Sequence, residues 1–378
     1  GSNDAPDITG VSGPLGLTED GEYANGDRQA DGKLYGKSAN DAVAGVFTDS
    51  GDIIAQDPDH GNNLTFGLVT SSGTLNVGDK IGTLTHGGVE TDITITAISS
   101  ASPDGITPLV ISTVYGYLTL NVKTGHYDFA LKHDAKGATD VLTEGDTVSL
   151  TLVPTVHDQG ASDGNAAVTR QDANGHSTTV NSLGIVIHGT NDAPVIDTTS
   201  WTAGHNSSGI GIVQEDISGA QTVTGSITAA DADSGETTSL RYGFVHNDGG
   251  QNYSVTPLYV KAEADGTAVV TSEAPPENNV NHDGYYGTLT MSADGKYTFS
   301  LYSESNSVQR LGEGETKNFS VDVVAEDIHG AYNTATVQFQ IVGTNDAPVV
   351  TSADPITVQE AGFADQHDAT LGANQAFA

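Results

Sequence analysis

Carboxylates carry the chemistry open to this sequence, and they recur in a fixed order. Glu19-Asp20 is matched further on by Glu215-Asp216, and Asp57-Pro58-Asp59 by Asp231-Ala232-Asp233. His157-Asp158-Gln159-Gly160 is matched by Asp327-Ile328-His329-Gly330. Asn-Asp-Ala-Pro stands three times, at Asn3–Pro6, Asn191–Pro194 and Asn345–Pro348. Carboxylates about 4 Å apart repel by about 1 kcal/mol in water and about 4 kcal/mol at a protein-like dielectric. A crowd of them is stable only around a hard cation, and Ca²⁺ collects oxygens of this kind. Other chemistries lack their parts. The histidines show no HExxH and no paired zinc spacing. The loop Gly204–Gly209 holds His205 and serines without an orienting acid. Asp231–Gly235 resembles the start of an EF-hand loop but lacks its closing Glu and flanking helices. No paired carboxylates face a sugar cleft.

The elements that position these groups are strands. Each full copy of the phrase, Gly189–Pro194 and Gly343–Pro348, follows an alternating apolar run: Leu183, Ile185, Ile187 and Val337, Phe339, Ile341. A period-2 run ending in an acid and a proline is a last strand leaving its domain. The phrase begins at 3, 191 and 345, so two modules of unequal length lie in tandem, 1–190 and 191–345. Residues 346–378 are too few for a core of their own and read as the truncated start of a third. Between Glu19 and Asp57, and again between Asp158 and Gly189, the first module is longer than the second by roughly 22 and 15 residues.

The centre of each module is a hairpin. Leu118, Leu120 and Val122 run to Thr124-Gly125, and Tyr127, Phe129 and Leu131 return; Leu289 and Met291 run to Asp294-Gly295, and Tyr297, Phe299 and Leu301 return. Glycine turns between alternating runs are a strong hairpin signal. Without sustained 3.6 periodicity, helices should be scarce. The pattern predicts an all-β fold: tandem antiparallel β-sandwiches, with every pairing antiparallel. In such a sandwich the loop after the second strand (Asp231, Asp233) and the late hairpin (Asp327) sit where the chain enters, at Asn191-Asp192. Glu19 closes the same space if its strand runs to the far end of module one. Asn191 adds an amide oxygen. Calcium there turns a repelling hinge into a rigid joint.

Composition removes other partners. Lys and Arg number 13 against 49 Asp and Glu, a formal charge of −36, so the chain has no cationic surface for nucleic acid or anionic lipid. No apolar run is long enough to insert in a membrane. There is no cysteine. Cytosolic residence explains that, and so does export of an unfolded chain that folds around an ion abundant outside the cell; the acid excess favours export.

The runs "AADADSG", "VVAEDIHGA", "GTNDAP" after V-x-F-x-I-V, and the GxLTLxxxGxYxFxL hairpin resemble the VCBS and cadherin-like repeats of giant, type I secreted RTX-type bacterial adhesins. The resemblance covers nearly all of 191–348 and most of the first module outside its insertions. It implies Ig-like sandwiches with calcium-binding linkers and no catalysis. Carried residue by residue, it nominates Glu19, Asn191, Asp192, Asp231, Asp233 and Asp327 for the middle junction. Asn3, Asp4, Asp57, Asp59 and Asp158 form a half-site at the amino end, and Glu215, Asn345 and Asp346 begin one at the carboxyl end. The linker is shorter than the cadherin acidic run, implying fewer ions per joint. The expected role is a calcium-stiffened segment at a bacterial cell surface, monomeric, whose partners are neighbouring modules of its own chain. The alternative is that the enlarged first module itself grips a peptide or glycan on another surface, through Tyr23, Arg28, Tyr35, Arg170 and His176 in its insertions.

Overall fold

Alternation decides the strands. In the computed structural model, which describes residues 6–19, 45–57, 63–102, 104–132, 137–157, 170–171, 177–178, 182–197, 206–216, 221–247, 251–254 and 257–346, nearly every regular element is extended. The only helix among the described residues is one 3₁₀ turn, Glu236–Ser239. The two hairpins form as the sequence predicts, Gly116–Leu120 with His126–Leu131 and Tyr285–Met291 with Lys296–Leu301. Gly125 and Gly295 take the turn positions at φ 75° and 81°. Leu118, Leu120, Tyr127 and Phe129 are buried from one hairpin, and Leu289, Met291, Tyr297 and Phe299 from the other. Burying each such side chain stabilises by about 1.5–3 kcal/mol.

Each hairpin belongs to one sheet of a sandwich. In the first, a six-stranded sheet runs in the order Asp7–Val11, Thr48–Gln56, His126–Leu131, Gly116–Leu120, Leu109–Ser112, Ala97–Ser99. Facing it are Leu15–Thr18, Leu183–His188, Thr147–His157, Lys80–His86 and Val89–Thr94, with Thr65–Val69 on the far half of Thr147–His157. The second sandwich sets Thr222–Ser226, Lys296–Leu301, Tyr285–Met291, Leu258–Ala262 and Ala268–Thr271 against Ile210–Gln214, Tyr332–Val342, Thr316–Glu326, Arg241–Asn247 and Gln251–Ser254. Two separate cores result, one drawn from residues 8–187 and the other from residues 196–341. In the second, Phe319 and Phe339 stack with centroids 5.0 Å apart, and Phe299 packs against both at steeper angles, 5.0 and 5.6 Å away.

The expectation that every pairing is antiparallel fails once in each sandwich. Leu15–Thr18 lies parallel to Leu183–His188, and Ile210–Gln214 parallel to Tyr332–Val342. In each sandwich an early strand joins the sheet that holds the last strand and runs beside it in the same direction. Connection length speaks only for strands joined by short turns, and these partners are far apart in sequence. The consequence is positional. Thr18 pairs with His188 and Gln214 with Val342, so Glu19 and Glu215 emerge at the level where each chain leaves its sandwich. Gly189 and Gly343 keep that exit tight: a Cβ there would stand 2.4 Å from the Thr143 carbonyl and 2.6 Å from the Gly312 carbonyl.

Both insertions fall mainly outside the described residues, as does the tail beyond Asp346. Among the described residues no helix is long and apolar enough to cross a membrane.

Candidate metal centre

Four short segments meet where the first sandwich hands the chain to the second. The parallel strand pair delivers the first. Glu19 N–H donates to the His188 carbonyl at 3.2 Å, and Thr190 N–H donates to Glu19 Oε1 at 2.9 Å. The linker follows with Asn191 and Asp192, both buried. Val195–Asp197 then pairs with Thr228–Ala230, which places Asp231-Ala232-Asp233 directly beneath the linker. Asp192 N–H donates to Asp233 Oδ2 at 2.8 Å, and Asp233 N–H to Asp231 Oδ1 at 3.0 Å. Thr237 fastens this loop, its hydroxyl accepting from Asp231 N–H at 2.9 Å.

The last segment ends the strand Thr316–Glu326. Asp327 closes a turn through its N–H to the Ala331 carbonyl at 3.0 Å. Its Oδ1 accepts from the N–H groups of His329 (2.8 Å) and Ala331 (3.0 Å). Its Oδ2 accepts from Asn191 Nδ2 at 2.8 Å. Asn191 therefore spends its amide on the protein: the nitrogen on Asp327, and the oxygen on His329 Nδ1 at 2.9 Å.

Glu19, Asp192, Asp233 and Asp327 are buried, and Asp231 is half-buried. Two residues that sequence reasoning passed over join them. Glu236, which opens the 3₁₀ turn after the left-handed Gly235, is only 3% exposed. His329 Nδ1 lies 3.1 Å from Glu236 Oε1. The signal was present in Asp231-Ala232-Asp233-Ser234-Gly235-Glu236, where a tight turn brings the Glu back to the two Asp, but the first module has no matching Glu after Asp59.

This concentration of buried acid raises five carboxyls, those of Glu19, Asp231, Asp233, Glu236 and Asp327. Burial pushes Glu19 up to about 9, against the Thr190 hydrogen bond and with help from Asp192, Asp233 and Asp140. Asp233 rises to about 8 and Asp231 to about 7, again through burial first and their acidic neighbours after it. Burial also raises Glu236 and Asp327. One oxygen each of Glu19 (Oε2), Asp231 (Oδ2), Asp233 (Oδ1) and Glu236 (Oε2) is buried with no hydrogen-bond partner. A buried charged oxygen without a partner is costly. Three of them, on Asp231, Asp233 and Glu236, lie together as a bound cation would need, so these donors fit a metal ion; Glu19 and Asp192 stand at the same joint but in neither group of close ligand atoms. Ligand atoms of Asp231, Asp233 and Glu236 lie within 4.8 Å of one another, as do those of Glu236, Asp327 and His329.

The carboxyl-end residues come together in part. Glu215, Asp216 and Asp346 form a third group within 4.8 Å. Glu215 is fully buried, with Oε2 accepting from Thr344 N–H at 3.2 Å and Oε1 without a partner. Asp216, Asn345 and Asp346 are exposed. At the amino end Asp57 follows the strand Thr48–Gln56, while Asn3, Asp4, Asp59 and Asp158 lie outside the described residues. So do Tyr23, Arg28, Tyr35 and His176; Arg170 belongs to the two-residue strand Arg170–Gln171.

No family model and no curated protein matches the chain. Solved structures similar to it are cadherin extracellular fragments. PcdhgB3 EC1-4 is 13% identical over 90% of this chain, with a TM-score of 0.34. Mouse cadherin-23 EC22-24 is 14% identical over 90%, at 0.33, and human CDH23 EC21-23 is 12% identical over 89%, at 0.31. The chain spans 50% of the first of these structures, 67% of the second and 69% of the third.

Proposed function

We propose that this chain is a calcium-stiffened segment of a bacterial cell-surface adhesin, holding ligand-binding regions away from the cell. Its units are an enlarged module, 1–190, a second module, 191–345, and the start of a third. One observation carries the reading: three buried carboxylate oxygens without partners, on the closely grouped Asp231, Asp233 and Glu236, with a fourth on Glu19 at the same joint. The all-oxygen character of Glu19, Asp192, Asp231, Asp233, Glu236 and Asp327 selects a hard cation, and Ca²⁺ accepts six to eight such ligands in flexible geometry. When bound, the ion supplies positive charge that cancels their mutual repulsion.

The residues of the chain do the rest. Glu19 and Thr190 fix the exit of the first sandwich, Asp192 reads the Asp231–Asp233 loop of the second through its own N–H, and Asp327 holds Asn191. Every one of these bonds spans the joint or anchors a group that does, so loading the site stiffens the joint. The net charge of −36 and the lack of cysteine suit a chain exported unfolded that folds in external calcium. The resemblance of the repeated motifs to adhesin modules supports the same setting.

Small-angle scattering with parallel melting curves tests the proposal. Excess calcium is expected to give a stiff, extended particle, and chelator a looser one that melts earlier. Identical profiles and melts in both conditions would remove the mechanism.

A further inference from the structure

The two overlapping clusters at the joint differ chemically. Asp231, Asp233 and Glu236 offer oxygen only, whereas Glu236, Asp327 and His329 add an imidazole nitrogen. Asn191 commits its Nδ2 to Asp327 Oδ2 and to the Asp192 carbonyl, at 2.8 and 3.2 Å, which turns its Oδ1 to His329. His329 Nδ1 therefore faces two acceptors, Asn191 Oδ1 at 2.9 Å and Glu236 Oε1 at 3.1 Å. The other oxygen of Glu236 is buried and has no partner, on a side chain only 4% exposed. His329 is 30% exposed and, with Glu236, lines a cleft of about 450 Å³ between the sandwiches. That cleft is a route in and leaves room for water on a metal.

We propose that Glu236, Asp327 and His329 form a second metal position, one that takes a borderline divalent cation of the Zn²⁺ type through one imidazole nitrogen and two carboxylates. It shares Glu236 and Asp327, each able to bridge two ions, with the carboxylates assigned to calcium, but does not depend on calcium being bound. Imidazole is a poor partner for Ca²⁺, which prefers oxygen. Zn²⁺ takes His nitrogen together with Asp or Glu oxygen, and three protein ligands plus water is a familiar open arrangement. The neutral ring keeps on Nδ1 the proton that it donates to Asn191 Oδ1 and gives the metal its Nε2. Asn191 then serves as a positioning residue that sets the ring plane and Asp327 at once.

The test is calorimetric titration of ZnCl₂ into the full chain held in saturating calcium. One tight zinc event is expected. His329→Gln should weaken it by about tenfold or more, with the calcium-dependent melt unchanged as proof of folding. His126→Gln, at an exposed histidine 2.9 Å from Asp52 in the first sandwich, should leave it intact. On the unaltered protein, X-ray absorption at the zinc edge with one equivalent bound should report one imidazole and otherwise oxygen. Absence of the zinc event, its survival in His329→Gln, or a shell with no imidazole or with several would each overturn the proposal. A zinc event of this kind without any calcium response leaves the second position standing and sinks the calcium reading. The reverse pattern does the opposite.

Discussion

The middle joint and the carboxyl end are built from the same local device and finished differently. In both, a Glu follows an early strand lying parallel to the last, and its carboxylate accepts from the N–H of the threonine in Gly-Thr-Asn-Asp: Glu19 from Thr190, Glu215 from Thr344. In both, the glycine N–H reaches a nearby loop, Gly189 to the Asp146 carbonyl and Gly343 to that of Glu315. At the middle joint the second sandwich then lays Asp231, Asp233 and Asp327 over this platform, and Glu19 is driven up to about 9. At the carboxyl end, among the described residues, only Asp216 and Asp346 accompany Glu215, and both are exposed. A hydrogen bond between those two carboxyls raises Asp346. Half of a site is thus the property of one sandwich, and enclosure comes from the next.

The comparison breaks first if removing metal does little. For ions that bind only the folded state, each site should add about 2.7 kcal/mol at a hundredfold excess over its dissociation constant. Scanning calorimetry in calcium and in chelator should show the larger loss on chelation in the transition that involves the joint. A chelator-insensitive melt would mean the clusters are only turns.

In chelator the joint should also acquire a pH dependence, and its sign is fixed. The folded values of Glu19, Asp233 and Asp231 are raised to about 9, 8 and 7, from 4.5 and 3.8. A carboxyl raised in the folded state contributes stability that is full below its unfolded value and is lost as pH rises through its folded value. Stability of the ion-free chain should therefore decline from about pH 4 to about pH 9. In calcium the decline should flatten or reverse, because the ion binds the ionised form. Melting series at several pH values check both; a rise with pH in chelator would contradict the burial of these groups.

Much of this joint was legible because it is said twice. Repetition picked out Glu19, Asp192, Asp231, Asp233 and Asp327; of these, Asp231 and Asp233 fall in one group of close ligand atoms and Asp327 in another. Alternation of Tyr127 and Phe129, and of Tyr297 and Phe299, gave the hairpins and the sandwich class. Glu236 stayed hidden because the first module offers no counterpart and because one 3₁₀ turn leaves no periodic trace. His329 stood out only as a member of the late turn Asp327–Gly330, where the matching segment of the first module has Gln159 instead, and its approach to Asn191 depends on two segments 138 residues apart. The parallel strand pairs escaped for a like reason: Leu15–Thr18 meets Leu183–His188 through the fold, with no local signature.

A narrower cut is made at Asp233. Asp233→Asn keeps the size and an oxygen to accept from Asp192 N–H but cannot carry the charge. In calcium it should lose most of one site's stabilisation, about 2–3 kcal/mol. In chelator at pH 9 it should be no less stable than the native chain, since it removes a buried anion that nothing there neutralises. Melting curves in the two buffers give both numbers. Equal destabilisation in each would make Asp233 a structural hydrogen-bond acceptor only.

The smallest expected effect is the one that reads the comparison most directly. Glu19→Gln and Glu215→Gln are matched changes: each keeps an acceptor for its threonine N–H, and each neutralises a buried carboxylate with one oxygen free of partners. Without metal, both substitutions should be close to neutral. With calcium, Glu19→Gln should forfeit a contribution on the scale of a full site, about 2–3 kcal/mol. Glu215→Gln should forfeit less than about 1 kcal/mol, the usual range for an exposed charge cluster, because Asp216 and Asp346 face water. Equal losses would mean that one sandwich makes a complete site unaided. A loss at Glu215 alone would invert the argument, placing the metal on the platform and leaving the crowded joint to be held by protons.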